Sequence, residues 1–141
     1  VMTDKLSYKF GLPQRGDVVV FAAPPAANCP EGSGCDFIKR VIGLPGDTVE
    51  VRDNHFYINN LLLNEPYLED TVKTAAAAFT NNGPVTVPPG SYFVSGDNRP
   101  HSSDSRAWGP VTLDRIVGKV FFRYWPLTRI GIISHAKYAN L

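Results

Sequence analysis

A chain of 141 residues, 43% hydrophobic and 19% charged, is long enough for one domain with a real core and too short to make two domains the natural reading. The 14 Lys and Arg against 13 Asp and Glu leave a formal charge of +1 with no basic block, which excludes nucleic acid and strongly anionic surfaces as expected partners. With 12 Gly and 12 Pro the chain is turn-rich, which argues against a helical bundle.

The opening "VMTDKLSYKF" begins in mid-pattern and has no basic, apolar and small-residue leader, and no later run approaches the roughly 18 apolar residues that cross a bilayer. Either the protein is soluble or an anchor lies outside these residues; the opening, with no initiating Met, reads as the middle of a longer gene product whose residues 1–141 form one domain. "DVVVF" (17–21) then follows the turn "PQRG" as a strand. Next comes "NCPEGSGCDF", where Cys29 and Cys35 flank a Pro/Gly/Ser spacer. Such a spacer lets the sulfurs meet, and a disulfide there contributes about 2–3 kcal/mol in the loop-entropy account. Two free thiols are the other reading. Pairing points to an oxidising compartment.

"DFIKRVI" (36–42) is the next strand, and the turn "GLPGD" leads to "TVEVR" (48–52). Asp53-Asn54 and Asn59-Asn60 tolerate the backbone of tight hairpins, so "HFYIN" and "LLL" continue a meander. Residues 69–84 form an irregular excursion in which four alanines permit a short helix. "VTVPPGSYFVSGD" returns to strand around the turn Pro88-Pro89-Gly90, and "IVGKVFFRYWP" (116–126) is the last clear strand. Its Phe121, Phe122, Tyr124 and Trp125 are read as core, or alternatively as an edge that approaches lipid. The inventory predicts a mostly β fold of coiled antiparallel sheets with barrel-like closure. No internal repeat or phosphate-binding glycine loop occurs.

Two places hold candidate chemistry. Lys39 lies among Phe37, Ile38, Val41 and Ile42, where an ammonium either reaches water along its stem or loses basicity through burial. Alternation aims it away from Ile38 and Arg40. The second place, "SGDNRPHSSDSRAWG" (95–109), holds two Asp, two Arg, four Ser, one Asn and one His in fifteen positions. Pairing Asp97 and Asp104 with Arg99 and Arg106 fixes a loop and nothing more. Joined to Lys39, the same loop becomes catalytic, because a serine needs a base and a desolvated lysine is one. His101 offers a competing base, but no "GxSxG" elbow accompanies it. His55 and His135 carry less information, no spacing suits a metal, and no cofactor is implied.

"FIKRVIGLPGDTVEV" and "VSGDNRPHSSDSRAWGPV" resemble the two catalytic-region motifs of type I signal peptidases of bacterial, cyanobacterial and plastid type. "LPQRGDVVVF" and "IVGKVFFRYWPL" resemble the strands on either side, in the same order. The resemblance implies a membrane-anchored serine endopeptidase that uses a Ser-Lys dyad to remove signal peptides from exported proteins, cutting after small residues such as Ala. The catalytic domain then faces the extracytoplasmic side of a cell membrane or the lumenal side of a thylakoid membrane. The motif lysine falls on Lys39 as general base, and the serine that supports it falls on Ser102. Asp104 and Arg106 match residues that brace the site, and Asp97, Asn98 and Arg99 match "GDNR", which positions the loop. Pro100-His101 stand where many relatives have Asp-Asn.

The family's nucleophile belongs to a "Ser-Met-x-Pro-Thr" segment, and none occurs here; Ser7, in "KLSYKF", lacks that context. The resemblance therefore implies that these 141 residues are inactive by themselves, with the nucleophilic serine and the membrane anchor expected upstream. Three alternatives stay open: a non-enzymatic β-rich peptide-binding protein, a self-cleaving repressor-type Ser-Lys protein, and a peptidase whose nucleophile is Ser102 itself.

Overall fold

The computed structural model describes residues 2–4, 12–27 and 35–121. Its strands are β1 (Met2–Asp4), β2 (Val18–Ala22), β3 (Asp36–Gly43), β4 (Thr48–Arg52), β5 (His55–Ile58), β6 (Leu61–Leu62), β7 (Val85–Thr86), β8 (Ser91–Ser95), β9 (Val111–Thr112) and β10 (Ile116–Phe121). One short helix, α1 (Ser105–Trp108), follows β8. Every strand pair is antiparallel, in a six-stranded sheet ordered β1-β10-β2-β3-β8-β9 and a four-stranded sheet ordered β6-β5-β4-β7. The fold is mostly β with coiled antiparallel sheets, as expected; among the described residues neither sheet closes on itself.

The hairpin residues behave as their chemistry dictates. Asp53 (φ 52°) and Asn54 (φ 66°), and then Asn59 (φ 51°) and Asn60 (φ 69°), all take left-handed backbone, which twists each two-residue turn to match its flanking strands. The alanines of the 69–84 excursion form no helix. The backbone around them is committed elsewhere: just before them Thr74 N–H donates to Asn54 O (2.9 Å), Ala75 O accepts from Arg106 (3.2 Å), and just after them Phe79 N–H donates to Arg106 O (2.8 Å). Ser7, Cys29, Phe122, Tyr124, Trp125 and His135 lie outside the described residues.

β3 is the strand around which the fold is organised, because its two faces reach two cores. One face joins Val41 to Val19, Phe21, Tyr92, Val94 and Val111, all buried, with Phe37 packed on them edge-to-face against Phe21 (5.9 Å between centroids). The other face joins Ile42 to Val49, Phe56, Ile58, Val87 and Phe93. Pairing with β8 shifts register between Val41 and Gly43, an irregularity that re-aims the end of the strand into the second core.

Gly43 sits at the end of β3, against Val49 of the second sheet. A Cβ there would lie 2.6 Å from Val49 Cγ2 and 3.2 Å from both Phe93 Cβ and Val87 Cγ2. Those partners are fully buried or nearly so, and they have no space to retreat into. Gly43→Ala is therefore expected to destabilise the fold by about 1–3 kcal/mol, the usual consequence of overpacking a core. Thermal unfolding measures this directly, and an unchanged Tm would contradict the packing described.

Candidate active site

Period-two alternation along β3 places Phe37, Lys39 and Val41 on one face and Ile38, Arg40 and Ile42 on the other. Lys39 pairs opposite Val19 of β2 and is half-buried, with its amine 5.4 Å from the centre of the Phe37 ring. Its Nζ donates to Ser102 Oγ at 3.0 Å. Burial lowers the Lys39 pKa from the ordinary 10.5; the negative charge of Asp104 works against that shift and the positive charge of Arg106 adds to it.

Ser102 is held as closely as Lys39. Gly96 N–H donates to its Oγ at 3.1 Å, and Asp104 accepts its hydroxyl proton. A side chain at Gly96 has no room: its Cβ would stand 2.8 Å from Ser102 Cβ and 3.4 Å from Lys39 Nζ. A glycine is thus the only residue that lets β8 turn into the loop while Ser102 keeps its place beside the amine.

Asp104 is fully buried. Its carboxylate accepts from Ser95 Oγ (2.9 Å), from Arg106 Nε (2.9 Å) and Nη2 (2.8 Å), and, as the N-cap of α1, from Arg106 N–H (3.1 Å). Burial alone would raise its pKa. The Arg106 bonds and charge, with Ser102 and Ser95, outweigh it and hold the acid below its ordinary 3.8.

The brace differs from the expected pairing. Arg106 does pair with Asp104, but Asp97 pairs with Arg40, through Nε (2.9 Å) and Nη2 (2.7 Å), not with Arg99. Arg99 instead takes Glu65 (3.0 and 2.5 Å), Thr74 Oγ1 (3.0 Å) and Gly96 O (2.7 Å). Arg99 opens a 3₁₀ turn over Arg99–His101 and its side chain is buried. Asn98 and His101 are exposed, joined to each other through Asn98 O and His101 N–H (2.9 Å), and His55 is exposed on β5. Arg40, Glu65, Tyr67 and Thr74 belong to the site and are missed by the sequence reading. Only Arg40 was placed there at all, on the face of β3 opposite Lys39.

Residues 1–125 match the family described as "Signal peptidase, peptidase S26". The chain belongs to the signal peptidase family. It is 40% identical over 134 residues to the "Probable signal peptidase I-2" of Synechocystis sp., covering 95% of this chain and 58% of that protein. It is 40% identical over 135 residues to the "Thylakoidal processing peptidase 1, chloroplastic" of Arabidopsis thaliana, covering 93% and 38%. The chain thus spans about half the length of these curated relatives. The crystal structure of a signal peptidase I from Enterococcus faecalis V583 superposes with a TM-score of 0.61 at 36% identity, covering 79% of this chain and 98% of that one. The two signal-peptidase-like motifs, far apart in sequence, are neighbours in the sheet: Arg40 opposes Ser95 and Val41 opposes Val94.

Asp104 yields a prediction with a defined sign. Because its folded pKa is depressed, its contribution to stability is fully present above the ordinary aspartate value and is lost as pH falls through the folded value. Asp104→Asn leaves Arg106 buried without its counter-charge, which costs about 3–5 kcal/mol at neutral pH. Urea unfolding at pH 7 and again below pH ~3 is expected to show a large difference between parent and variant at the first and a much smaller one at the second. An equal difference at both would contradict the assignment.

Proposed function

We propose that this chain is the catalytic domain of a serine endopeptidase that removes signal peptides from exported precursors, with Lys39 as general base and Ser102 as the residue that holds it. The observation that carries the reading is the 3.0 Å contact between a lysine amine of lowered basicity and a hydroxyl fixed by Gly96 and Asp104. Neutral Lys39 takes the proton of the attacking serine as its oxygen bonds to the scissile carbonyl. The resulting ammonium returns that proton to the leaving amine, and a water activated by Lys39 then hydrolyses the ester.

Ser102 fits the supporting role better than the nucleophile's. Its oxygen already accepts from Lys39 Nζ and from Gly96 N–H, and it is one of the groups that hold the Asp104 pKa down. With no "Ser-Met-x-Pro-Thr" segment in the 141 residues, the nucleophile is assigned to none of its serines. The brace of Arg40, Asp97, Arg99 and Arg106 serves to hold Ser102. The proposal extends to small residues such as Ala before the cut, to a membrane anchor outside this sequence, and to an extracytoplasmic or lumenal location. No helix among the described residues is long and apolar enough to cross a membrane. A Cys29–Cys35 disulfide, restraining the approach to β3, belongs to the same proposal.

The test compares cleavage of an exported precursor by this chain alone and by the chain joined to the serine-bearing N-terminal segment of a family member. Only the joined form is expected to cut at the authentic site; cleavage by the chain alone would return the nucleophile to Ser102 or another internal serine. In the joined form the rate should rise with pH through a midpoint below 10.5, since the neutral amine is the active form and its pKa is lowered. Ser102→Ala should reduce turnover on the order of 10²-fold, the effect of displacing a catalytic group by about 1 Å. Peptide mapping with free thiols blocked first checks the disulfide, and two blocked cysteines would reject it.

A further inference from the structure

The segment after β6, Asn64-Glu65-Pro66-Tyr67, lies between the two catalytic motifs and outside both, yet it grips the loop of the second. Glu65 takes both terminal nitrogens of Arg99, and the two side chains are 7% and 0% exposed. Arg99 Nε in turn donates to Gly96 O (2.7 Å), and the N–H of that same residue holds Ser102. Tyr67 locks the other side of Glu65: its hydroxyl donates to Glu65 Oε2 (2.5 Å), and its ring lies 3.8 Å under the Arg40 guanidinium that pairs with Asp97. One carboxylate therefore ties the two arginines flanking Gly96 and Asp97 into one rigid unit.

We infer that Glu65 is a positioning residue for the Lys39–Ser102 pair: by clamping Arg99 it fixes Gly96 through its carbonyl, and the N–H of Gly96 fixes Ser102 beside the amine. The inference rests on the proposed role of Lys39 for its catalytic meaning, while its geometric content stands separately. Replacing the carboxylate by an amide leaves a buried guanidinium without its counter-charge. The loop must then move to hydrate it. Water admitted beside Lys39 relieves the desolvation that lowers its pKa, so the amine becomes more basic.

The experiment uses this chain, with Lys39 Cε followed by carbon-13 NMR across pH and amide exchange followed at Gly96. In Glu65→Gln the Lys39 midpoint is expected to rise by about half a unit or more, a roughly threefold fall in the neutral fraction. Gly96 N–H should exchange faster while Val19 on β2 keeps its protection, which separates a local displacement from general destabilisation. Should Glu65→Gln fail to fold, Tyr67→Phe removes the hydroxyl that locks Glu65 without unpairing a charge, and the same two changes are expected at smaller amplitude. A folded variant in which neither the Lys39 midpoint nor Gly96 exchange moves would overturn the inference. If Lys39 of the parent chain titrates like an ordinary exposed lysine, the general-base reading fails, and Gly96 exchange alone then decides whether Glu65 positions the loop.

Discussion

The site depends on a buried carboxylate placed where it ought to do harm. A base that must be neutral gains nothing from a nearby negative charge, and Asp104 does push the Lys39 pKa upward. The same carboxylate is needed, because it takes the Ser102 proton and so orients the oxygen that meets the amine. The conflict is resolved by Arg106, which covers Asp104 with two side-chain bonds and one from its own backbone N–H. The pair presents little net charge to Lys39, and desolvation prevails. A buried ion pair of this kind is weak evidence for stability; its value here is orientation without a net field.

Placing three arginines around one loop carries a further constraint. Each is buried, and each finds a different acid: Arg106 takes Asp104, Arg40 takes Asp97 and Arg99 takes Glu65. Their remaining nitrogens reach backbone carbonyls at Gly16, Gly96, Arg99 and Ala75. A guanidinium suits this use because it is always charged and its planar fork bonds a carboxylate and a carbonyl at once. The loop carries little regular structure of its own, and these bonds stand in for the ladder hydrogen bonds that would otherwise fix it.

Local chemistry made part of this legible from sequence alone. The strands follow from alternation, the two hairpins from Asp53-Asn54 and Asn59-Asn60, and the meeting of Lys39 with Ser102 from the family motifs, with alternation supplying the direction of Lys39. What escaped is non-local. Glu65 lies 34 residues from Arg99, and Arg40 lies 57 from Asp97, so no periodicity connects them. Asp97 and Arg99 lie two residues apart, yet each bonds a partner distant in sequence, Asp97 with Arg40 and Arg99 with Glu65. The excursion at 69–84 is irregular, as read, and the reason is likewise non-local: Ala75 O, Phe79 N–H and Thr74 N–H bond Arg106 and Asn54 and not a helix's own ladder.

The central claim is that Lys39 acts by giving up its proton, not by carrying charge. Lys39→Arg tests it most directly, because a guanidinium keeps the charge and cannot become the neutral base. Single-turnover precursor cleavage, measured in the chain joined to a serine-bearing segment and with folding verified by circular dichroism, is expected to fall by roughly 10² to 10⁴-fold. Near-normal cleavage by the folded arginine variant would contradict the account.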